Sequence, residues 1–418
     1  MQGFKVGPDF IDPTFHQAAT GRPSHNLDGW MLSRQINQEI FARSTHDADV
    51  AVIEGVMGLF DGKSSPSLSG TTAEMALWLD AAVVLVLDAA TMAGSAAAVV
   101  HGFDTLIPDF RISAVVCNQV ASAKHYGYLR DAIVSRCTPS PIGYLPRDPS
   151  FSIPERQLGL HLANEALTRD RLSRMAEWIE SNLDLDRLLE LSSRSNSAAV
   201  CLPDIRFNPR RARIGIAQDA AFCFYYHDNL ELLGALGAEL IEFSPMTDRK
   251  LPPDLDGLYF GGGYPELHAE ALSRNESMRA AVVEFAARDA PVYAECGGFM
   301  YLMRAIVDTD GRNWPMAGIF PTNARMQKRL AKLGYIELES CEAEAWLAPG
   351  ESARGHEFRY STMDPMPETI CRVYRDPAEG YRVRSVVGSY VHLHFLSNQK
   401  FPERFVRDCA QQRAIYRK

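Results

Sequence analysis

No stretch of this 418-residue chain is apolar for long enough to cross a bilayer. The apolar run Ala81 to Ala90 is bounded by Asp80 and broken by Asp88. Met1 to Asp9 carry no basic segment leading into an apolar one, so no secretory leader is expected. Positive charge is also short: 43 Lys and Arg against 52 Asp and Glu leave a net charge of −9. That balance argues against a nucleic-acid or anionic-membrane surface, which needs clustered cations. The eight cysteines include no C-x-x-C pair, and no His stands at metal-finger spacing. A zinc finger or a disulfide scaffold is therefore not expected, whereas reduced thiols in a cytoplasmic enzyme are. No internal repeat is evident.

What is present is an α/β rhythm. In the first half, nearly continuous apolar runs at Val50 to Glu54, Ala82 to Asp88, Ile112 to Asn118 and Ile142 to Leu145 read as buried parallel strands. Helical patterns separate them at Leu27 to Ala42, Thr72 to Leu79, Gly94 to Leu106 and His125 to Ser135. That alternation predicts a doubly wound parallel sheet. A Ser-, Pro- and Arg-rich stretch then breaks the rhythm. A second series follows, with strands expected at Arg213 to Ala217, Gly257 to Phe260, Pro291 to Glu295, Met316 to Phe320 and Val386 to His392. The boundaries drawn are 1–190 for a first domain, 191–212 for a linker and 213–418 for a second domain.

One cysteine stands apart from the other seven. Val292 to Leu302 read as strand, sharp turn and helix, with Cys296-Gly297-Gly298 at the turn. A thiol there sits at the start of a helix, where unpaired N–H groups favour thiolate and can cradle an oxyanion. Gly297 is one candidate donor. The glycine loop Gly261-Gly262-Gly263, after the strand ending at Phe260, offers others at Gly262 and Gly263. A base is available on the late strand: alternation puts His392 and His394 on one face. His392 is the expected base and His394 the alternative.

These residues resemble the glutaminase domain of class I glutamine amidotransferases, in the branch found in corrinoid amide synthases. The shared features are a glycine loop followed by Tyr264-Pro265-Glu266, the Ala294-Glu295-Cys296-Gly297-Gly298 elbow, and Ser389-Tyr390-Val391-His392-Leu393-His394-Phe395. Other class I members follow the His with Pro-Glu, the Glu completing a triad. Leu393 and His394 stand there instead, so the expectation is a Cys–His dyad with no orienting carboxylate.

The first half places carboxylates at strand ends, where parallel sheets bind ligands: Asp9 and Asp12 after Phe4-Lys5-Val6, and Glu54 after Ile53. With Gly21-Arg22-Pro23-Ser24, Asn26-Leu27-Asp28, Leu145-Pro146-Arg147, Pro154-Glu155-Arg156 and Leu158-Gly159-Leu160, this half resembles the synthetase domain of the cobyrinic (or hydrogenobyrinic) acid a,c-diamide synthase family. Asp219 to Phe222, Phe224 to Tyr226, Asn229-Leu230 and Gly355 to Phe358 extend the resemblance through the second half. The resemblance implies a P-loop-NTPase-like, dethiobiotin-synthetase-like first domain. It also implies ATP as cosubstrate, Mg²⁺ near Asp9, Asp12 and Glu54, adenine near Asn118, and ammonia passed from glutamine to the corrinoid carboxylates. A monomer and a homodimer both remain open.

One departure stands out. A phosphate-binding G-x-x-x-x-G-K-[ST] loop is not found. Gly58-Leu59-Phe60-Asp61-Gly62-Lys63-Ser64 comes near, with one residue too few between the glycines and Asp61 where phosphates would sit. The chain enters at what would be that domain's second strand. The reading is that a strand–loop–helix unit of roughly 30 residues is absent, most simply through a misplaced start, and that ATP-dependent activity of these 418 residues alone is weak. Competing readings are a hydrogenobyrinic acid or nickel-sirohydrochlorin enzyme, a remnant keeping only glutaminase or binding function, and a general cysteine hydrolase.

Overall fold

The computed structural model describes residues 1–64, 66–153, 162–193, 211–341 and 346–416. The motifs at 154–160 and most of the expected linker lie outside the described residues. The chain divides into two compact units, Met1–Gly29 with Arg34–Leu202, and Trp30–Ser33 with Pro203–Lys418. No helix among the described residues is long and apolar enough to cross a membrane.

Among its described residues the first unit holds six parallel strands in two separate sheets. β1 (Gln2–Val6) lies between β2 (His25–Leu27) and β3 (Ala51–Glu54). β5 (Ala114–Val120) lies between β4 (Val84–Asp88) and β6 (Ser140–Pro146). Helices alternate with these strands and bury their apolar sides, among them Thr72–Leu79, Ser95–Thr105 and Ala123–Arg136. The β-rich runs expected as buried interior strands therefore divide. β5 is buried over Ala114 to Cys117, whereas β3 and β4 are sheet edges whose residues Val52 and Val86 are 50% and 60% exposed. A cleft of about 740 Å³ runs between those two edges, lined by Ala51, Ile53, Val84, Leu85 and Val86 among others.

Leu27 to Ala42 is not one helix. Leu27 ends β2, and the helix begins at Arg34. The reason is local: Asn26 donates to the carbonyls of Gly7 and Asp9, at 2.9 and 2.8 Å. The Asp28 backbone exchanges two bonds with the Asn37 side chain. These bonds hold the segment extended before the helix can start.

The second unit is organised on one ten-stranded sheet. Parallel pairing runs through β7 (Ala212–Ala217), β8 (Ala238–Phe243), β9 (Gly257–Phe260) and β10 (Val292–Glu295) and continues to a later strand, Val386–Ser389. Three further strands, β11 (Met303–Val307), β12 (Asn313–Pro315) and β13 (Phe320–Met326), belong to a smaller sheet. Next come β14 (Lys332–Ser340) and β15 (Ser352–Arg359) of the large sheet, then β16 (Ser361–Met363) on the small one. The large sheet is completed by β17 (Cys371–Asp376), β18 (Ala378–Val383), β19 (Val386–Ser389) and β20 (His392–Leu393). Its order is β20-β15-β14-β17-β18-β19-β10-β9-β7-β8. Leu258, Tyr259, Phe260, Val292, Tyr293 and Ala294 on the central strands are fully buried. Burying a side chain of this size stabilises by about 1.5–3 kcal/mol.

Two expected strands are corrected. Met316 to Ile319 form a connection, and the strand begins at Phe320. The Met316 and Gly318 N–H groups instead bond back to Arg304 and Met303 carbonyls. The late strand breaks after Ser389, because the Tyr390 N–H turns to the Glu379 carboxylate at 2.9 Å and the Val391 N–H to Ser389 Oγ at 3.1 Å.

Candidate active site

Three neighbouring parallel strands, β9, β10 and β19, end at the same edge, in the register Val292↔Leu258 and Glu295↔Ser389. Their C-terminal extensions are the glycine loop, Cys296 and the turn carrying His392. The ten-strand sheet also returns on itself here. β20 pairs antiparallel with β15, setting His356 opposite His392, although β19 and β20 sit at distant places in the strand order.

Cys296 adopts φ +44° and ψ −105°, a conformation that L-residues rarely take, and a six-residue helix follows it. Strain of this kind at a strand-to-helix turn holds a side chain clear of the main chain. Its N–H is tied to the Ser389 carbonyl at 2.8 Å. The Gly298 N–H is tied to the Gly261 carbonyl at 3.0 Å, and a Cβ on residue 298 would stand 2.5 Å from the Phe260 carbonyl oxygen. The two glycine turns thus interlock backbone to backbone. Burial pushes the Cys296 thiol up to about 12, with Glu266 and Glu357 adding to the rise and Arg359 and the Gly297 N–H opposing it. A thiol so placed is protonated at neutral pH and needs a base.

Gly262 and Gly297 divide the work differently from the expectation. The Gly262 N–H donates to the Phe224 carbonyl at 3.2 Å, and its carbonyl accepts from Cys223 and Phe224. Its contribution is space: a Cβ at this position would overlap His392 Cε1. Gly263 N lies beside Gly297, 3.1 Å from where a Gly297 Cβ would be. The Gly263 main chain thereby stands next to that of Gly297, directly after the nucleophile.

His392 is almost fully buried, and burial alone lowers its pKa to about 3, so its imidazole is neutral at pH 7. Its ring stacks on that of His356, 4.9 Å between centroids and 17° between planes. His356 Nδ1 is 2.8 Å from Tyr226 Oη. His394 belongs to the same ring cluster as His392: burial first, then the charges of both, lower the pKa of His356. His394 lies beyond β20 and packs against the Tyr226 ring at 4.6 Å, its N–H donating to the Arg354 carbonyl. An acid does face His392. Glu295 Oε2 stands 3.9 Å from His392 Nδ1, and both side chains are 2% exposed. The expected dyad without a nearby carboxylate is corrected on this point.

In the first unit, Asp9, Asp12 and Glu54 come together around a group that the sequence reading passed over. Lys5 Nζ lies 2.5 Å from Asp12, 3.4 Å from Glu54 and 3.0 Å from the Gly55 carbonyl. Burial works against the Lys5 charge, but Asp12, Glu54 and Asp9 outweigh it and raise its pKa. Asp9 Oδ1 accepts the Ile11 and Asp12 N–H groups; burial and the Asp12 charge raise its pKa, which those N–H groups and Lys5 partly offset. Glu54 also meets His16 at 2.7 Å. Three carboxylates against one ammonium leave negative charge in excess, and clustered hard oxygens suit a Mg²⁺ ion.

Phosphate is less well provided for. At Gly58 the N–H bonds the Asp61 carboxylate at 2.9 Å, so this turn satisfies itself. Asn118 lies within β5, its Oδ1 accepting the Gln119 N–H at 2.8 Å. Among the described residues no glycine turn forms a phosphate cradle. Lys5 was visible as a strand cation beside acids, and Glu295 as the residue before the nucleophile. Only the register of three strands shows what each faces.

Residues 213–400 match the CobB/CobQ-like glutamine amidotransferase domain. A cobyrinate a,c-diamide synthase of Syntrophotalea carbinolica is 42% identical over 98% of this chain and 92% of its own length. Those of Priestia megaterium and Picrophilus torridus are 40% and 41% identical, each over 98% of this chain and over 90% and 92% of their own lengths. A solved glutamine amidotransferase aligns over 47% of this chain and 98% of its own at 18% identity, with a TM-score of 0.36. Matched along nearly its whole length at this identity, the chain belongs to the cobyrinate a,c-diamide synthase family.

Proposed function

We propose that this enzyme converts the a- and c-acetate carboxylates of cobyrinic acid to amides, using glutamine and ATP, in cytoplasmic cobalamin biosynthesis. The observation that carries the reading is the 42% identity to a cobyrinate a,c-diamide synthase over 98% of the chain. In the second unit, neutral His392 takes the Cys296 proton and the thiolate attacks the glutamine side-chain carbonyl. The Gly263 and Gly297 N–H groups receive the developing oxyanion. Collapse of the tetrahedral species expels ammonia, which leaves with the proton held by His392. Water, deprotonated in turn by His392, then cleaves the thioester to glutamate and restores the thiol.

In the first unit, Asp9, Asp12 and Glu54 would hold Mg²⁺, which neutralises phosphate charge when bound. Lys5 joins the same cluster and balances its acids. Asn118 is assigned to the nucleotide side of the fold. A P-loop-NTPase-like sheet is the finer reading of this unit. Its support is the parallel β3 and β4 edges, which face one apolar cleft as the two neighbours of a single strand would. The decisive assay incubates the purified chain with cobyrinic acid, Mg-ATP and glutamine and follows the corrinoid by mass. Slow formation of the diamide is the expected result, in keeping with a chain in which no phosphate cradle stands among the described residues. Amide formed on a metal-free or nickel tetrapyrrole and not on cobyrinic acid in the same assay would contradict the assignment of substrate.

A further inference from the structure

The residue immediately before the nucleophile is a fully buried glutamate, and an unpaired carboxylate is costly to bury. Glu295 is held by three donors: Tyr293 Oη at 2.8 Å and the Leu393 N–H at 3.0 Å on Oε1, and Tyr259 Oη at 3.0 Å on Oε2. Tyr259 and Tyr293 are themselves fully buried and sit opposite each other on β9 and β10. Such a site is built for a carboxyl group, and a packing role alone would be met by an apolar side chain.

Two of its contacts lead to the base. One is the Leu393 N–H, the main-chain group next to His392 in sequence. Asn229 grips the other side of the same turn, donating to the Leu393 carbonyl and accepting from the Phe395 N–H, both at 2.7 Å. The second is the imidazole itself, with Nδ1 3.9 Å from Oε2. That separation is too long for a direct hydrogen bond, yet close enough for the carboxylate to stabilise a positive charge that forms on the ring during turnover. Other buried acids nearby have other duties: Glu379 bonds the Tyr390 N–H and Ser389 Oγ, and Glu357 pairs with Lys332 and Arg359.

We infer that Glu295 is the positioning carboxylate of the glutaminase site, standing on the nucleophile's own strand instead of two residues after the histidine. It fixes the turn through Leu393, faces Nδ1 so that Nε2 serves the thiol, and stabilises the imidazolium formed when Cys296 is deprotonated. The inference rests on the assignment of Cys296 and His392 above. It predicts a link between Glu295 ionisation and turnover. Burial pushes this carboxyl up to about 7, with the Tyr293, Leu393 and Tyr259 donors holding it back. The titratable groups around it are Tyr225, Tyr259, Tyr293, Tyr374 and His392.

The test measures glutamate release against glutamine concentration and pH for the full chain and for Glu295→Gln, Tyr293→Phe and His392→Ala, each normalised to folded protein by its melting curve. Glu295→Gln keeps the shape and an acceptor, and should lower kcat by about 10- to 100-fold, less than loss of a directly bonded triad acid. KM should stay within about twofold, and the near-neutral acid limb of the pH profile should disappear. Tyr293→Phe removes one donor and keeps the charge, so the same limb should move to higher pH. This variant supplies the answer if Glu295→Gln does not fold. Unchanged kcat and acid limb in Glu295→Gln, with His392→Ala inactive, would overturn the role of Glu295 and leave the Cys–His assignment standing. A limb unmoved in Tyr293→Phe would overturn it equally. Full turnover by His392→Ala would overturn the underlying assignment itself.

Discussion

Val84 to Asp88 and Gly257 to Phe260 read alike in sequence, as short apolar runs of the kind found in interior parallel strands. Their surroundings differ. β9 is paired on both sides and every one of its residues is buried, whereas β4 is paired only with β5 and leaves Val86 60% exposed beside the cleft. β3 repeats the pattern with Val52. An apolar run records that a strand is made to be covered. The cover itself comes from other elements, and in the second unit it is present on both edges of β9, β10 and β19. A rigid site at strand ends depends on that difference, since Cys296, the glycine loop and the His392 turn are each anchored by an adjoining paired strand.

The comparison can be sharpened by matched substitutions. The largest effect is expected for Leu258→Ala, which should cost about 2–5 kcal/mol in chemical denaturation. Val86→Ser and Val52→Ser, on the exposed edges, should stay within about 0.5 kcal/mol. Equal losses at the two places would break the contrast. Gly262→Ala should lower glutamine turnover by about 100-fold, the scale of misplacing a catalytic group by 1 Å, because its methyl group and His392 cannot share one space. The melting temperature and kcat of this variant together separate displaced base from unfolded protein.

A smaller difference is expected between two asparagine clamps. Asn229→Ala leaves the Leu393 carbonyl and the Phe395 N–H unpaired in the interior and should cost about 2–3 kcal/mol, at the upper end for lost buried hydrogen bonds. Asn26→Ala, whose Gly7 carbonyl partner is buried but whose Asp9 carbonyl partner is partly exposed, should cost about 1–2 kcal/mol.

The last prediction concerns pH. The Glu295 carboxyl is raised from 4.5 to about 7, so its contribution to stability is fully present below about pH 4.5 and fades as pH rises towards 7. His392 runs the other way. Lowered from 6.5 to about 3, it contributes above pH 6.5 and loses that contribution as pH falls towards 3. Subtracting the Glu295→Gln stability curve from the parent's isolates the first effect. The difference should change by at most a few kcal/mol between pH 4.5 and 7, and a flat difference would contradict it.

Much of this architecture was legible in the residues. The Thr72–Leu79 helix stands at its expected bounds, and the Gly257–Phe260 strand carries its own signal, a continuous apolar run. The Cys-Gly-Gly turn marks itself, because few other places need two glycines after a buried strand. What could not be read depends on partners far away in sequence. His392 and His394 alternate as neighbours on paper, and only the folded chain gives them their ring partners, His356 for the first and Tyr226 for the second. Glu295 looked like a flank of the motif until β10 and β20 were brought together. Gly262 looked like an oxyanion donor, and the Phe224 carbonyl, 38 residues upstream, is what engages its N–H.

The central claim is that Cys296, served by His392 at the ends of β10 and β19, hydrolyses glutamine. Glutamate release by the purified chain, measured beside its Cys296→Ala variant with both shown to be folded, tests it most directly. The account predicts steady turnover for the parent and none above background for the variant. Turnover that survives the loss of Cys296 would contradict it.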